Sequence, residues 1–463
     1  MTPEEFLRQE AAAATAAATN NKAHQFAVVD AIPAEFSDEA IALKFTETHS
    51  DKLRYVAAWG KWLLWNGTRW GFDETMRAFD FSRAICRVVS ASAPDKLATG
   101  IASAKTVAAV VSLSRADRRH AATVEQWDSQ PWLLNTPDGI VDLQTGRMAA
   151  HDRYLYLTKM AAVAPGGNCP LWLKVLADLT NKNVELQSFL QRVAGYSLTG
   201  NTREHALFFC YGTGGNGKGV FLNTLTAIMG DYAAIAPMET FVATQNDRHP
   251  TDLAGLRGSR LVTSQETEQG RRWAESKIKA LTGGDPITAR FMRQDFFTYI
   301  PQFKLVIAGN HKPGLRGVDE AIRRRFNLLP FVAKFTKPDK ELPAKLRAEW
   351  PGILQWAIDG CLEWQRIGLK PPEIVQEATA FYFAQEDLIE QWLEERCGRD
   401  PMYKERSIAL FADWKAWAEA ASEYVGSQKR FTQALEDRGF IRDHNSENQA
   451  IFHGVALKSP QCV

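Results

Sequence analysis

The stretch ALFFCYGTGGNGKGVFLNTL, residues 206–225, admits few folds. Its apolar run shows no polar alternation, so a strand there must be covered on both faces, as in a sheet layered between helices. Five glycines then fall between Gly212 and Gly219. Glycine lets successive backbone N–H groups turn inward around an anion, and a helix beginning near Lys218 adds its positive N-terminal end. Gly212, Gly217 and Lys218 have the spacing of a phosphate-binding loop, in which the lysine reaches the outer phosphates as a point charge. The expected nucleotide cradle runs from Gly212 through Thr213, Gly214, Gly215, Asn216, Gly217, Lys218 and Gly219 to Val220. Such loops usually carry Ser or Thr directly after the lysine. Here that residue is Gly219.

From about 203 to 335, short apolar runs alternate with helical stretches, the pattern of an α/β layer with a parallel sheet. RLVTSQETE ends at Glu266, with Glu268 beyond, and FKLVIAGN ends at Asn310. In an open parallel sheet the carboxyl ends of the strands share one edge, where ligands bind. Glu266 is there expected to hold a metal's water shell or to polarise an attacking water, and Asn310 to orient that water. The plainer alternative makes Glu266 the start of an exposed loop. DEAIRRRF places Arg323, Arg324 and Arg325 at a distance that suits a subunit interface, against the alternative of a solvated basic turn. Residues 289–334 hold nine Lys/Arg against three Asp/Glu, a local excess that suits a phosphate backbone and that the net charge of +1 hides. Within that interval TARFMRQDFFTY sets Arg290 and Arg293 beside Phe291 and Phe296. Charge and rings together suit a nucleic-acid strand, although hairpin phenylalanines are expected in the core.

Elsewhere the chain reads as ordinary globular protein, 45% hydrophobic and 24% charged. Its six cysteines (Cys86, Cys169, Cys210, Cys361, Cys397, Cys462) are scattered, as reduced thiols of a cytoplasmic protein would be. EAAAATAAATNN is too short to span a bilayer and follows an acidic segment, so no membrane partner is expected. We divide the chain into an Ala-rich leader (1–35), a mixed α+β accessory domain (36–200), an ATPase core (201–335), a helical extension (336–399) and a small final domain (400–463). Asn66-Gly67 signals a hairpin, and Pro137-Asp138-Gly139 and Thr145-Gly146 signal turns, which explain Asp138 and Asp142 better than a metal pair does. CGRDPMYKER reads as a break. After it come two helical patterns and two strand-like runs, the order of a winged helix, with Lys429, Arg430 and Arg438 on the second helix; Lys429 and Arg430 are expected to contact duplex DNA, against the alternative of a protein-docking module.

The run GTGGNGKG … RLVTSQETEQG … KIKALTGGDPITARFM … FKLVIAGNHKP … RRRFNLLPF resembles the helicase domain of phage and plasmid primases, a superfamily 3 helicase shared with the poxvirus-type primase-helicases. WLLNTPDGIVDLQTG resembles the accessory domain that precedes the ATPase in that family. The resemblance implies an AAA+-like P-loop NTPase with a C-terminal winged helix, using ATP and Mg²⁺, with Lys218 on phosphate and Glu266 as the Walker B acid, holding Mg²⁺ through water. It implies Lys279, expected as a DNA contact, and Asp285 in the motif before a DNA-contacting hairpin, Asn310 as polar sensor, and Arg324 or Arg325 as the arginine finger. It further implies hexameric rings moving 3′-to-5′ on single-stranded and forked DNA in a bacterial host cell. The short leader ahead of the accessory domain leads us to expect a helicase without its own primase, working beside a separate primase, initiator or nuclease. Gly219 removes one Mg²⁺ ligand, which a water could replace, leaving an active ATPase of weakened metal affinity. A different class, an ATP-binding assembly factor of weak hydrolysis, rests mainly on Gly219. A small-molecule nucleotide kinase would leave the basic hairpin and the C-terminal unit unexplained.

Overall fold

The computed structural model describes residues 32–243, 251–265, 271–315, 319–335, 339–421, 423 and 425–458. Two compact units make up the chain: one runs to Asn66 and resumes over Trp70–Gln126, the other takes Gly67–Arg69 and everything from Trp127 onward. Residues 127–200, read from sequence with 36–126 as one accessory domain, therefore group with the ATPase region. The reason is burial: Trp172, Leu176, Phe189 and Val193 share a core with Phe208 and Phe221.

In the first unit a hairpin joins Lys61–Trp65 to Trp70–Phe72 with Trp65 opposite Trp70, so the Asn66-Gly67 signal is a hairpin loop. Helix Asp38–His49 starts where the Ser37 hydroxyl accepts from the Ala40 N–H at 3.2 Å, an N-cap that satisfies one orphan donor. Phe45, Leu53, Trp62 and Val110 form the centre of this unit's core.

The second unit is organised by a five-stranded sheet: β1 (Leu207–Tyr211), β2 (Ala233–Ile235), β3 (Leu261–Gln265), β4 (Lys304–Gly309) and β5 (Phe326–Pro330). Its order is β5-β1-β4-β3-β2 and every pairing is parallel. Alternate residues point to opposite faces, as strand geometry requires. Phe208, Cys210, Val306, Ala308 and Leu329 enter one core, and Leu207, Phe209, Leu305, Ile307 and Leu328 the other. Both faces are covered, as the unbroken apolar runs demand.

One core holds a close helix crossing. Gly195, near the end of helix Val184–Leu198, lies against helix Trp350–Ile367, and a Cβ at Gly195 would sit 2.0 Å from the Cys361 nitrogen. Gly360 meets the Gln191 carbonyl oxygen in the same way, at 2.2 Å. The turn at Thr145-Gly146 behaves as read: Asp142 accepts from the Gln144 N–H at 2.9 Å and the Thr145 hydroxyl at 2.8 Å, which is turn chemistry.

The C-terminal elements are helices Ser407–Ala420 and Gln428–Glu436 with strands Ile441–His444 and Ala450–Leu457. CGRDPMYKER, read from sequence as a break, is instead a third strand, Cys397–Arg406, paired antiparallel along one edge of Ala450–Leu457. Its register shifts between Arg399 and Lys404, so Pro401 falls in an irregular stretch of an edge strand, where its missing N–H costs no ladder bond.

Gly195→Ala is expected to lower stability by at least about 1–3 kcal/mol, because the contact is with backbone and cannot yield. Gly255→Ala, with nothing within 4 Å, is expected to stay within ~0.5 kcal/mol. Denaturant unfolding of the two variants against the parent checks this.

Candidate functional site

β1 runs directly into the glycine loop, and helix Lys218–Met229 leaves it. Gly217 has φ +77° and a Cβ there would strike Leu179 at 2.0 Å, so the loop is seated on the end of helix Pro170–Leu179. At Gly212 a Cβ would lie 2.0 Å from both the Asn216 amide and the Phe331 carbonyl oxygen. That space is tight because Asn216 donates to Phe331, just past β5, and so ties the loop to the next strand. Thr213, Gly214 and Gly215 form the exposed rim, while Asn216 and Lys218 are buried.

The Lys218 ammonium donates to the Gly212 carbonyl at 2.7 Å, the Asn216 side-chain oxygen at 2.9 Å and the Asn310 side-chain oxygen at 3.2 Å. The fold thus brings together Gly212, Asn216, Lys218 and Asn310, residues up to 98 positions apart in the chain. The parallel register explains it: Tyr211, at the end of β1, pairs with Gly309, which precedes Asn310. All three acceptors are neutral. Burial lowers the Lys218 pKa below the ordinary lysine value. A desolvated cation with neutral partners attracts an anion strongly, since little water screens it.

Glu266 and Glu268 lie outside the described residues, as do Cys462 and most of the leader. Two amides that the sequence reading missed border the vacant hydroxyl position. A Cβ on Gly219 would lie 3.9 Å from the Gln265 side-chain oxygen and 4.0 Å from the Asn223 amide nitrogen, and Gln265 donates to Asn223 at 2.7 Å. Gln265 ends β3 and Asn223 sits one turn past Gly219, a spacing that marks a shared helix face. Lys312 was also missed; its ammonium lies 4.3 Å from the Tyr211 ring centroid at the same sheet edge. Among the described residues no cluster of three His, Cys, Asp or Glu could hold a metal. A Mg²⁺ ion here would depend on nucleotide phosphates, water and Glu266, with the Gln265 oxygen at hand.

The three arginines separate cleanly. Arg323 donates to the Asp387 carboxylate at 3.2 Å. Arg325 is buried and donates to the Thr282 hydroxyl at 3.1 Å. Arg324 is exposed, with no side-chain partner among the described residues. Lys279 forms an ion pair with Asp319, whose other oxygen caps helix Glu320–Arg323 by accepting from the Ile322 N–H at 2.8 Å. Lys279 thus braces the arginine segment.

Strands Ile287–Ala289 and Phe297–Tyr299 form an antiparallel hairpin. Phe291 and Phe296, expected in the core, are 41% and 58% exposed. The seven-residue loop between such short strands projects past any covering layer. Arg290 stacks on the Phe296 ring at 4.5 Å, and Arg293 adopts φ +59° at the exposed tip. In the C-terminal unit Lys429 and Arg430 are both exposed but line different cavities.

Residues 42–181 match the D5 N terminal like family, and residues 210–325 match a family of unknown function (DUF5906). Protein 022R of Frog virus 3 (isolate Goorha), provisionally named a helicase, is 26% identical over 252 residues, which cover 49% of this chain and 26% of that protein. A similarly named protein of Acanthamoeba polyphaga mimivirus is 24% identical over 266 residues, covering 52% of this chain and 27% of its own. The match thus spans about a quarter of each viral relative. The apo C-terminal region of NrS-1 aligns with 90% of this chain and 98% of its own at 11% identity and a TM-score of 0.49. The chain is thus similar to the D5 N terminal like family over residues 42–181 and to helicase-named viral proteins over about half its length.

Gly219→Ser fits without displacement. If the chain hydrolyses ATP with Mg²⁺, as proposed below, this variant is expected to lower the Mg²⁺ concentration needed for half-maximal hydrolysis, and an unchanged titration would overturn the expectation that Gly219 weakens metal binding. Because the Lys218 pKa is lowered, anion binding that relies on its charge is complete below that pKa and declines as pH rises through it. Calorimetric titration with nucleotide in alkaline buffers of different ionisation enthalpy is expected to show proton uptake, since a bound phosphate raises the lysine pKa again.

Proposed function

We propose that the chain is an ATP-dependent DNA helicase of a mobile genetic element that acts as a ring during replication. The observation that carries this reading is the buried Lys218 ammonium, held only by neutral acceptors at the carboxyl edge of a parallel sheet and facing Asn310. On this reading ATP phosphates replace some of those acceptors, the glycine loop supplies backbone N–H groups, and bound Mg²⁺ supplies charge neutralisation between phosphates. Asn310 orients the attacking water, and Glu266 polarises it. Arg324 is the better finger of the two candidates, because Arg325 is already committed to Thr282. A free arginine facing a neighbour's nucleotide requires an assembly that repeats head to tail.

The hairpin is the part that holds single-stranded DNA: Arg290 and Arg293 neutralise phosphate, and the exposed Phe291 and Phe296 rings offer stacking surfaces. Six subunits, 3′-to-5′ polarity and a bacterial host follow from the phage and plasmid resemblance alone, whereas the viral relatives above infect eukaryotes. Among the described residues no single helix is long and apolar enough to cross a membrane. Gly219 favours one second reading, an assembly factor that binds ATP and turns it over poorly.

ATP hydrolysis that rises with single-stranded DNA and vanishes in Lys218→Ala is the expected result. Tight binding without turnover would instead favour the assembly factor. Arg324→Ala is expected to cut kcat by roughly 10³-fold or more with nucleotide binding and melting temperature retained. Mixing Lys218→Ala with Arg324→Ala chains then restores part of the activity if the arginine acts across an interface. No recovery would place its action elsewhere. Arg325→Ala is expected to cost stability, about 1–3 kcal/mol, through the unpaired Thr282 side and lost packing.

A further inference from the structure

Helix Lys218–Met229 turns one face toward β3. Gly219, Asn223 and Thr226 fall at helical spacing along that face, and Thr263 and Gln265, alternate residues of β3, meet them. The Thr226 and Thr263 hydroxyls lie 3.4 Å apart, and nearer the sheet edge Gln265 donates to the Asn223 side-chain oxygen at 2.7 Å. Thr263 is only 1% exposed, so the lower contact lies in the packed layer, whereas both amides are exposed. This polar seam fixes the height of the amide pair against the glycine loop.

Two surface amides bonded to each other are ordinary, but their place here is not. A Cβ on Gly219 would lie 3.9 Å from the Gln265 oxygen and 4.0 Å from the Asn223 nitrogen, so the pair borders the spot that a Ser or Thr hydroxyl would fill. The bond between the amides uses one of their two oxygens. The other, on Gln265, has no hydrogen-bond partner among the described residues. Turning both amides over would exchange their atoms and leave the Asn223 oxygen free beside Gly219 instead, so a free acceptor is present whichever way the amides face.

A loop hydroxyl gives Mg²⁺ one neutral oxygen, and Mg²⁺ readily keeps water in such a place. A water bound to a cation donates strongly, and an acceptor beyond the metal fixes its orientation. We propose that Gln265, oriented by Asn223, is a positioning residue for the metal–nucleotide complex, its side-chain oxygen accepting from a water that takes the place of the missing hydroxyl. The inference rests on the ATPase reading above and adds to it what stands in for the lost ligand. It accounts for Gly219 without requiring an inactive site, and it makes positions 219 and 265 compensate for one another.

The test is binding of a non-hydrolysable ATP analogue by the full chain, followed by calorimetry in EDTA and across a Mg²⁺ series. Gln265→Leu is expected to raise the Mg²⁺ concentration for half-maximal tightening on the order of tenfold, the usual scale for losing a partner that orients a metal's ligand. Metal-free affinity and melting temperature are expected to stay as they are. Gln265→Glu keeps an oxygen in place and is expected to need no more Mg²⁺ than the parent. Adding Gly219→Ser to Gln265→Leu supplies the hydroxyl directly and is expected to restore the response, by a larger factor than Gly219→Ser gains alone. A role in packing alone would lower the melting temperature and gain nothing from a hydroxyl at position 219. An unchanged Mg²⁺ response in Gln265→Leu, or a loss that Gly219→Ser leaves uncorrected, overturns the inference while the ATPase reading stands. A parent that ignores Mg²⁺, or binds the analogue no better than Lys218→Ala, overturns both.

Discussion

A parallel sheet buried on both faces can keep charged and ligand-accessible groups only at its ends, and this constraint orders the sheet region of the second unit. Phe208, Phe209, Leu305, Val306, Ile307 and Leu328 fill the central strands, and the few polar side chains along the sheet, Thr263, Ser264 and Asn327, are small, neutral and buried. The register then decides which polar residues meet. Tyr211 pairs with Gly309 on one side and with Pro330 on the other, so the glycine loop, Asn310 and Phe331 emerge together. The triple contact of Lys218 and the bond from Asn216 to Phe331 follow from that alignment.

The opposite end of the sheet carries cations as well, and the contrast is instructive. Arg260, just before β3, donates to the carbonyls of Leu198, Gln130 and Leu133 and lies 4.4 Å from the Tyr232 ring. Lys304, at the start of β4, donates to the Thr199, Asn201 and Gln302 carbonyls, and burial lowers its pKa far below the ordinary value. These cations staple the chain segments before the sheet to its amino ends. Their acceptors belong to several separate segments, so releasing them would disrupt packing. Lys218 is held by a single loop and one strand end. A ligand can take over its hydrogen bonds without disturbing the cores, which is what separates a binding cation from a structural one.

Much of this was legible in the sequence, because its signals are local. The apolar run of β1, the glycines and the helix beginning at Lys218 are contiguous, and Asn310 ends a strand of the same character. What escaped depended on partners distant in sequence. Cys397–Arg406 contains Pro, Gly and five charged residues, so its pattern suggests no strand. Pairing with Ala450–Leu457 overrides that composition. Gln265 and Asn223 look unremarkable until folding sets them beside Gly219. The phenylalanines of the hairpin read as core because aromatics usually are, and only the short flanking strands show that no layer reaches them.

The consecutive arginines show why spacing alone could not decide among Arg323, Arg324 and Arg325. Adjacent residues at the end of a short helix point about 100° apart, so three neighbours address three environments. Arg323 faces Asp387, a carboxylate only 9% exposed that also accepts from Arg438 of the C-terminal unit and from the Glu390 N–H. Arg325 turns inward to Thr282 and the Ala321 carbonyl. Removing Arg325 would leave a lone pair of the buried Thr282 hydroxyl unmet, which is costly in a desolvated setting, whereas Asp387 without Arg323 would keep Arg438 and the Glu390 N–H. Their commitment fixes the backbone between them, helped by the cap from Asp319 and its brace Lys279. Arg324 is thereby presented outward on a rigid base. On the proposed reading the fixed backbone spares the ordering of the segment, and only the Arg324 side chain has to be ordered against a phosphate, which distinguishes it from its committed neighbours.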